Sequence, residues 1–402
     1  YRGAGRPEAT AAIERAMDLF ALEIGKDAAE VRRMNLIPKF LEPHTTVVGQ
    51  TYDVGDYETA LDKALDAADY KALRAEQAKR RASGDAKQLG IGVSVYVEIT
   101  GGVGNGESAK VEVLEDGRAV VYTGTSPHGQ GHDTAWSMLV QEQTGIPMDR
   151  IELVWGDTDL VPVGTGTMGS RSLQQGGNAV FQVAGTLAEK AKSVAARLLE
   201  VSEADVVLDK DRGAFHVVGT PAVTKTWADL AVAEKSTGGL LHDEVINVSG
   251  ATFPFGAHVA VVEVDTETGR VKHLRQVACD DAGKVLNPML LDGQIHGGIA
   301  QGVAQALLEE VLYDADGNPT TSNLADYGFI SAAELPNVEV IHMETPTPVN
   351  AIGAKGIGES GTIGSTPAIQ SAVVDAVSHL GVKHIEMPCT AERVWRAIQA
   401  AQ

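Results

Sequence analysis

The sequence has few cysteines and no long apolar run. Only Cys279 and Cys389 occur among its 402 residues. Two thiols are too few for a disulfide framework or a four-thiolate metal site, and their number is typical of a reducing compartment, which predicts a cytoplasmic protein. No apolar run approaches the ~18 residues that a membrane-spanning helix needs, so we expect a soluble, globular chain.

Positive charge is also scarce, and the common nucleotide-binding motifs are missing. The chain has 33 Lys and Arg residues against 54 Asp and Glu, and its net charge of -21 would repel a phosphate backbone, which argues against nucleic acid as a partner. It contains no GxxxxGK(S/T) loop, and no GxGxxG loop between a strand and a suitably spaced acid. It begins at Tyr1 without a secretory leader. We therefore expect it to be a piece of a longer polypeptide or a separately processed part of one, whose missing part could hold half of the site.

Length and periodicity predict a mixed α/β (α+β) fold in several parts. A chain of 402 residues exceeds what one core usually organises. Residues 57–89 have apolar positions every three or four residues among many charged ones, which predicts a helical linker after an opening segment, 1–56. From residue 90 the period changes to two, and strands alternate with helices. This pattern predicts two similar α/β halves, 90–250 and 251–402.

Turn and cap residues mark the main elements. Asp116 and Gly117 predict a hairpin turn, while Pro7 and Pro367 are typical of the start of a helix. The predicted helices cover Pro7 to Ile24, Ala28 to Met34, Thr134 to Thr144, Gly177 to Glu200 and Leu291 to Leu312. In the last segment, Thr362 to Leu380, Pro367 is expected to start an apolar helix.

Four glycine-dense loops are the most distinctive feature: residues 1–6, 125–134, 163–172 and 353–362. Glycine lets backbone N–H groups turn inward and lets a ligand approach the main chain, and helix N-termini favour anions, so these loops suit a phosphate-bearing cofactor. Any one loop could be an ordinary turn, whereas four together favour binding. Polar side chains on two of them could hold an extended cofactor between domains: Gln130, His132, Thr167, Ser170, Arg171 and Ser172.

Three titratable residues of these loops each have two interpretations. Glycines separate His128 from His132, so the two are not the helical i, i+4 pair of a zinc site, and each could simply make a loop hydrogen bond. Glu359 could cap the N–H groups of the helix that follows it. A partly buried carboxylate among Ala, Gly and Ile could equally serve as a general base.

In order and spacing, the loops resemble those of the molybdenum-binding subunits of the xanthine dehydrogenase, aldehyde oxidoreductase and carbon monoxide dehydrogenase family. The resemblance implies the C-terminal, catalytic part of a large subunit, with molybdopterin-binding domains of the xanthine oxidase type and with residues 1–56 ending the first of them. The matching segments cover nearly the whole chain: YRGAGRPEA, GQGHDT, GDTDLVPVGTGTMGSRS, DAGKVLNPMLLDGQIHGGIAQG and GAKGIGESGTIGSTPAI.

The resemblance also implies a cofactor and its binding residues. Molybdenum would be held by the dithiolene of a pterin, usually molybdopterin cytosine dinucleotide in bacterial members, with Gln130 and Glu359 near the metal and no direct protein ligand. The implied cofactor-binding residues are Arg2, Gly3, Gly129, Gln130, Gly131, His132, Thr167, Ser170, Arg171, Ser172, Lys355, Gly356 and Gly358.

Glu359 matches the family's catalytic glutamate, a general base in the hydroxylation of an aromatic N-heterocycle or the oxidation of an aldehyde with oxygen drawn from water. Electrons would leave through 2Fe–2S clusters on an iron–sulfur subunit, commonly joined by an FAD subunit, in a dimer of heterotrimers. The best-known carbon monoxide dehydrogenases have a copper-bridging cysteine where this chain has Gly3, so carbon monoxide oxidation ranks below hydroxylation. Two further alternatives are a non-catalytic cofactor-carrying subunit, disfavoured by the retained Glu359 and Gln130, and a glycine-loop enzyme for a phosphorylated metabolite.

Overall fold

The computed structural model describes residues 1–102, 106–248 and 250–401 as a chain of alternating helices and strands. Residues 103–105, 249 and 402, which belong to the two predicted halves, lie outside the described residues. The helices are α1 (Arg6–Glu23), α2 (Ala28–Asn35), α3 (Tyr57–Ala68), α4 (Tyr70–Ser83), α5 (His132–Thr144), α6 (Asn178–Leu199), α7 (Trp227–Glu234), α8 (Pro288–Leu307), α9 (Ser360–Val377) and α10 (Ala391–Ala401). A π-helical segment, Ser172–Gly177, leads into α6.

Within the described residues, the strands form four sheets, of which two have four strands each. They are β1 (His44–Thr45), β2 (Thr51–Tyr52), β3 (Lys87–Val97), β4 (Glu107–Val113), β5 (Ala119–Thr123), β6 (Ile151–Val154), β7 (Val206–Asp209), β8 (Ala214–Val217), β9 (Thr220–Thr226), β10 (Leu240–Ile246), β11 (Phe255–Asp265), β12 (Val271–Asp281) and β13 (Val338–Met343).

The two four-stranded sheets share one pairing pattern. In the order β10-β4-β5-β6, the first two pairings are antiparallel and the third is parallel. The order β3-β11-β12-β13 has the same sequence of pairings. Connections also repeat, because β5–α5–β6–α6 in the first half corresponds to β12–α8–β13–α9 in the second. The predicted mixed α/β fold with two similar halves is confirmed.

The predicted boundary at residue 90 falls inside β3. This strand pairs along its whole length with β11, so the opening strand of segment 90–250 lies in the sheet of segment 251–402. Helices α3 and α4, which occupy the predicted linker 57–89, pack against that sheet. The division into segments remains a prediction.

Burial differs between the two sheets. The pattern of β4 alternates between buried and half-buried residues, as expected for a sheet covered on one face. Strand β11 is buried along nearly its whole length because α8 and α9 cover one face of its sheet and α3 covers the other. Within the described residues, no helix combines the length and the apolarity needed to cross a bilayer.

Helix α9 packs directly on the main chain of β3, at two glycines that have no side chain between the strand and the helix. A Cβ atom added to Gly90 or Gly92 of β3 would come within 1.9 Å of a main-chain oxygen of α9. The helix is almost entirely buried and already begins at Ser360, so Pro367 lies within it and does not start it, contrary to the pattern-based expectation. This packing fixes the position of Glu359, the residue immediately before α9.

Candidate active site

One large cavity lies between the two halves, beyond the carboxyl ends of their parallel strands. It has a volume of about 550 Å³. The β5–α5 and β6–α6 loops of the first half line it together with the corresponding β12–α8 and β13–α9 loops of the second half. The ends of parallel strands, at a junction between units, are the usual position of a cofactor site in α/β proteins.

Nearly all the residues singled out from the sequence line this cavity; Gly3 and Gly131 do not. Both act through close packing, because a Cβ atom at Gly131 would lie 2.7 Å from Leu290 Cδ2 and one at Gly3 would lie 2.5 Å from Pro7 Cδ. The singled-out residues that line the cavity are Glu359, Arg2, His128, Gly129, Gln130, His132, Thr167, Ser170, Arg171, Ser172, Lys355, Gly356 and Gly358.

The β5–α5 loop presents a histidine and a glutamine. His132 starts α5, stacks on the Trp136 ring at 4.6 Å between ring centroids, and places Nδ1 3.4 Å from Thr125 O. Burial lowers the pKa of His132, which favours the neutral imidazole. The Gln130 side-chain oxygen accepts a hydrogen bond from His128 N, so Gln130 also holds its own turn together.

The β6–α6 loop is held by a chain of hydroxyl groups. Ser172 Oγ donates to Thr167 Oγ1 at 3.2 Å, and Thr167 Oγ1 donates to Ser126 O at 2.8 Å. Ser170 adopts a left-handed backbone conformation with φ 53°, which is uncommon outside glycine and concentrates at functional sites. Its main-chain oxygen packs so tightly on Gly356 that a Cβ atom there would approach to 1.9 Å.

The three Arg and Lys residues of the predicted site form most of their polar contacts with other groups of the protein. Arg171 is buried and bonds to Glu107, and Lys355 Nζ lies 2.9 Å from Asp281 Oδ1 and donates to Val54 O. Arg2 Nη2 donates to Gln294 Oε1 and main-chain oxygen, while its Nε donates to Gly358 O. These contacts brace the loops that line the cavity.

Glu359 occupies the cap position of α9, but its carboxylate makes no capping hydrogen bond. Glu359 Oε2 instead accepts from Ser170 Oγ at 3.2 Å and lies 3.6 Å from Arg6 Nη1, while Glu359 N donates to Ser170 Oγ at 3.1 Å. The side chain is 15% exposed. The carboxylate is therefore oriented at the cavity wall and remains accessible, as a general base requires.

Sequence reasoning missed one wall and one close neighbour of Glu359. The β12–α8 loop contributes Lys284 and Asn287, and its position after the strand equivalent to β5 was the available indication. Glu98 lies one residue beyond β3 and bonds to Ser170, but its local sequence does not distinguish it from any other strand residue.

The cavity fits an extended polar cofactor. Three buried polar atoms of its lining residues find no hydrogen-bond partner in the described part of the chain: His132 Nε2, Trp136 Nε1 and Arg171 Nε. Such atoms can form hydrogen bonds with a polar ligand, so the chemistry of the lining is compatible with one. Gly129 adds accessible main chain, because a Cβ atom there would meet nothing within 4 Å. Among residues 1–102, 106–248 and 250–401, no group of three or more His, Cys, Asp and Glu side chains could hold a metal ion.

Comparison with protein families gives two matches to molybdopterin cofactor-binding domains. One family model matches residues 63–336 and the other matches residues 1–36. Together they include the opening loop, the sheet β10-β4-β5-β6, three strands of the second sheet and three of the four cavity loops, while β13 and the β13–α9 loop lie beyond residue 336.

Known proteins are similar over almost the whole chain. The carbon monoxide dehydrogenase large chain of Hydrogenophaga pseudoflava is 41% identical over 98% of this chain and 51% of its own length. A crystal structure of a Cu,Mo-CO dehydrogenase superposes with a TM-score of 0.91 at 36% identity, covering 98% of this chain and 52% of that one. Quinoline 2-oxidoreductase from Pseudomonas putida 86 gives a TM-score of 0.90 at 34% identity, covering 99% of this chain and 53% of that one. The chain thus spans about half the length of the relatives it matches.

Proposed function

We propose that this chain, which belongs to the molybdopterin cofactor-binding family, forms the catalytic part of the large subunit of a molybdenum-dependent hydroxylase. The substrate would be an aromatic N-heterocycle or an aldehyde, with the inserted oxygen drawn from water. The main support is the position of Glu359, whose carboxylate stands in the wall of the cavity that the glycine-rich loops line. The similarity to a quinoline oxidoreductase favours the N-heterocycle.

The cofactor would lie along the walls that carry unpaired polar atoms. When bound, molybdopterin supplies a molybdenum centre that takes up the electrons of the oxidation and activates water-derived oxygen. Gln130, Thr167 and Ser172 offer side-chain hydrogen bonds, and Gly129 offers main chain. We propose the cytosine dinucleotide form, since the loops of both halves give room for an extended molecule.

Glu359 would accept the proton released as oxygen is transferred to the substrate. Ser170 holds one carboxylate oxygen and Arg6 faces the same oxygen, which keeps the charged group directed into the cavity. A base prepositioned in this way needs no reorientation before it takes the proton.

Replacement of the base tests this function. In the assembled enzyme, Glu359→Gln should retain molybdenum and cytidine nucleotide yet lose at least ~100-fold of turnover with heterocycles or aldehydes and an artificial electron acceptor. Glu339→Gln, at an exposed position on β13, is the matched control and should keep parental turnover. Parental activity of a fully loaded Glu359→Gln enzyme would exclude the role of the base.

Carbon monoxide oxidation is the second candidate, favoured by the 41% identity to a carbon monoxide dehydrogenase large chain. Gly3 offers no thiolate to bridge copper, and its backbone leaves no space for a side chain, because Pro7 occupies the Cβ position. We therefore expect less than stoichiometric copper in purified enzyme and oxidation of heterocycles or aldehydes in preference to carbon monoxide. Stoichiometric copper would reverse this order.

The remaining half of the large subunit and further chains would complete the enzyme. We propose three further components: an N-terminal remainder of the large subunit, an iron–sulfur subunit that takes electrons from the cofactor in the cavity, and an FAD subunit. The complete enzyme would be a cytoplasmic dimer of these heterotrimers. Intact-complex mass spectrometry with metal, flavin and nucleotide analysis tests this composition.

A further inference from the structure

A second carboxyl group lies directly behind Glu359. Glu98 follows β3 and is completely buried. Its Oε1 is 2.9 Å from Ser170 Oγ, and its Oε2 accepts from Ser360 Oγ at 2.6 Å. Ser170 therefore links two carboxyl groups, because the same hydroxyl also contacts Glu359 Oε2 at 3.2 Å.

The proton count of this cluster requires that one of its two carboxyl groups is protonated. Ser170 has one hydroxyl proton, while its oxygen can accept two hydrogen bonds. It contacts two carboxyl oxygens and also accepts from Glu359 N. If both carboxyl groups were ionised, one contact would have no proton. With one carboxyl group protonated, that group donates to Ser170 and Ser170 donates its own proton to the other, so every contact holds one proton. Glu98 is completely buried, whereas the Glu359 side chain is 15% exposed and lies 3.6 Å from Arg6, so the proton is assigned to Glu98.

The surrounding charges agree with this assignment. Burial is the main cause that raises the pKa of Glu98, to about 8, and the nearby Glu359 raises it further, whereas the Ser360 and Ser170 hydroxyls and Arg6 lower it. Tyr96 and Arg2 also face Glu98. The Arg2 guanidinium donates to Gly358 O and Gln294 Oε1, and the Tyr96 hydroxyl donates to Asp280, so both groups direct their hydrogen bonds away from Glu98.

We propose that Glu98 is a positioning residue, held as a neutral carboxylic acid, which directs the Ser170 proton onto Glu359 and thereby fixes the orientation of the base. The protonated state of Glu98 rests on the contacts, burial and neighbouring charges of this chain and not on the proposed function. Its effect on turnover rests on the proposed function of Glu359.

The dependence of stability on pH tests the protonated state without any assay of activity. Between the ordinary pKa of 4.5 and the folded value of about 8, native Glu98 keeps a proton that the unfolded chain has lost. The parent enzyme therefore loses stability from this group as pH rises through that range. Glu98→Gln is neutral at every pH. The thermal midpoint of this variant minus that of the parent should therefore increase from pH 5 to pH 8 and stay constant above pH 8. A difference that is constant with pH would overturn the proposal.

Infrared difference spectroscopy gives a second readout. At pH 6, the parent-minus-Glu98→Gln spectrum should contain a protonated carboxylic-acid band, whereas the parent-minus-Glu359→Gln spectrum should contain carboxylate bands. A carboxylate band in the Glu98 difference would overturn the assignment.

Turnover tests the positioning effect. Glu98→Gln keeps an N–H donor toward Ser170 and should retain kcat within about threefold, whereas Glu98→Ala removes the donor and should lower kcat by about tenfold with unchanged molybdenum content and little change in KM. Equal loss in both variants, or none in Glu98→Ala, would refute the positioning role. If Glu359→Gln were fully active, the proposed function would fail, while the pH and infrared results would still decide the state of Glu98.

Discussion

At the scale of single residues, Lys355 contributes to the stability of the fold through a buried ion pair. Its ammonium is fully buried with Asp281, and removal of one partner of such a pair leaves an uncompensated buried charge. Lys355→Met should therefore lower the free energy of unfolding by about 3–5 kcal/mol, measured by urea unfolding of the assembled enzyme. Addition of Asp281→Leu should restore much of the loss. A single variant as stable as the parent would contradict this account.

The opening loop offers a second residue-scale prediction. Gly3 has φ 112° and Gly5 has φ 83°, so a side chain strains the backbone at both positions. Only Gly3 also meets a neighbour, because its Cβ position overlaps Pro7 while that of Gly5 meets nothing within 4 Å. Gly3→Ala should therefore cost about 1–3 kcal/mol more stability than Gly5→Ala, by thermal or urea unfolding. Equal losses would show that backbone strain alone matters.

The residues around Glu359 mark the limit of inference from sequence. The sequence marks Glu359 by its position among glycines before a helix, which suits both capping and base catalysis. The partners that separate those alternatives, Ser170 and Arg6, lie 189 and 353 positions away along the chain. Glu98 could not be found from its neighbours in sequence, since only the folded chain brings it to Ser170.

At the scale of elements, the packing of α9 on β3 controls the position of Glu359. Gly92→Ala would bring a Cβ atom within 1.9 Å of Ala368 O, so the helix must shift, at a cost of about 1–3 kcal/mol. Since small displacements of a base are costly, turnover should fall by about tenfold to a hundredfold.

The matched control for Gly92→Ala is Gly185→Ala. Gly185 lies within α6, and the nearest atom to its Cβ position is the flexible end of Gln143 at 3.3 Å. This change should keep turnover and gain up to about 1 kcal/mol from helix propensity. Parental turnover in Gly92→Ala would mean that α9 tolerates displacement.

The sequence predicts the end of an element well where neighbouring residues mark that end. It predicts the end poorly where apolar residues continue the pattern but stay exposed in the structure. The first and second helices and α6 lie within about two residues of their predicted bounds. Helix α8 ends at Leu307, although the apolar pattern continued to Leu312. Val311 and Leu312 are about half exposed, so no buried face extends the helix there.

At the scale of the whole molecule, the repeated order of motifs predicts two halves. It does not predict that β3 pairs in the second sheet, nor that the β12–α8 loop lines the cavity. Both depend on long-range pairing that local periodicity does not encode. The consequence is a cavity whose walls come from both halves, including residues 282–287 that no glycine motif marked.

The shared cavity predicts that the cofactor stabilises both halves at once. A ligand that binds only the folded state at a hundred times its Kd adds about 2.7 kcal/mol of stability. Enzyme loaded with molybdopterin should therefore show slower amide hydrogen exchange than cofactor-free enzyme in residues 125–132, 163–171, 282–287 and 353–359. The β7–β9 sheet, which lines no part of the cavity, is the internal control and should exchange equally in both forms. Protection confined to the loops of one half would mean that this half alone holds the cofactor, and the cavity would then be a contact surface between halves and not a joint site.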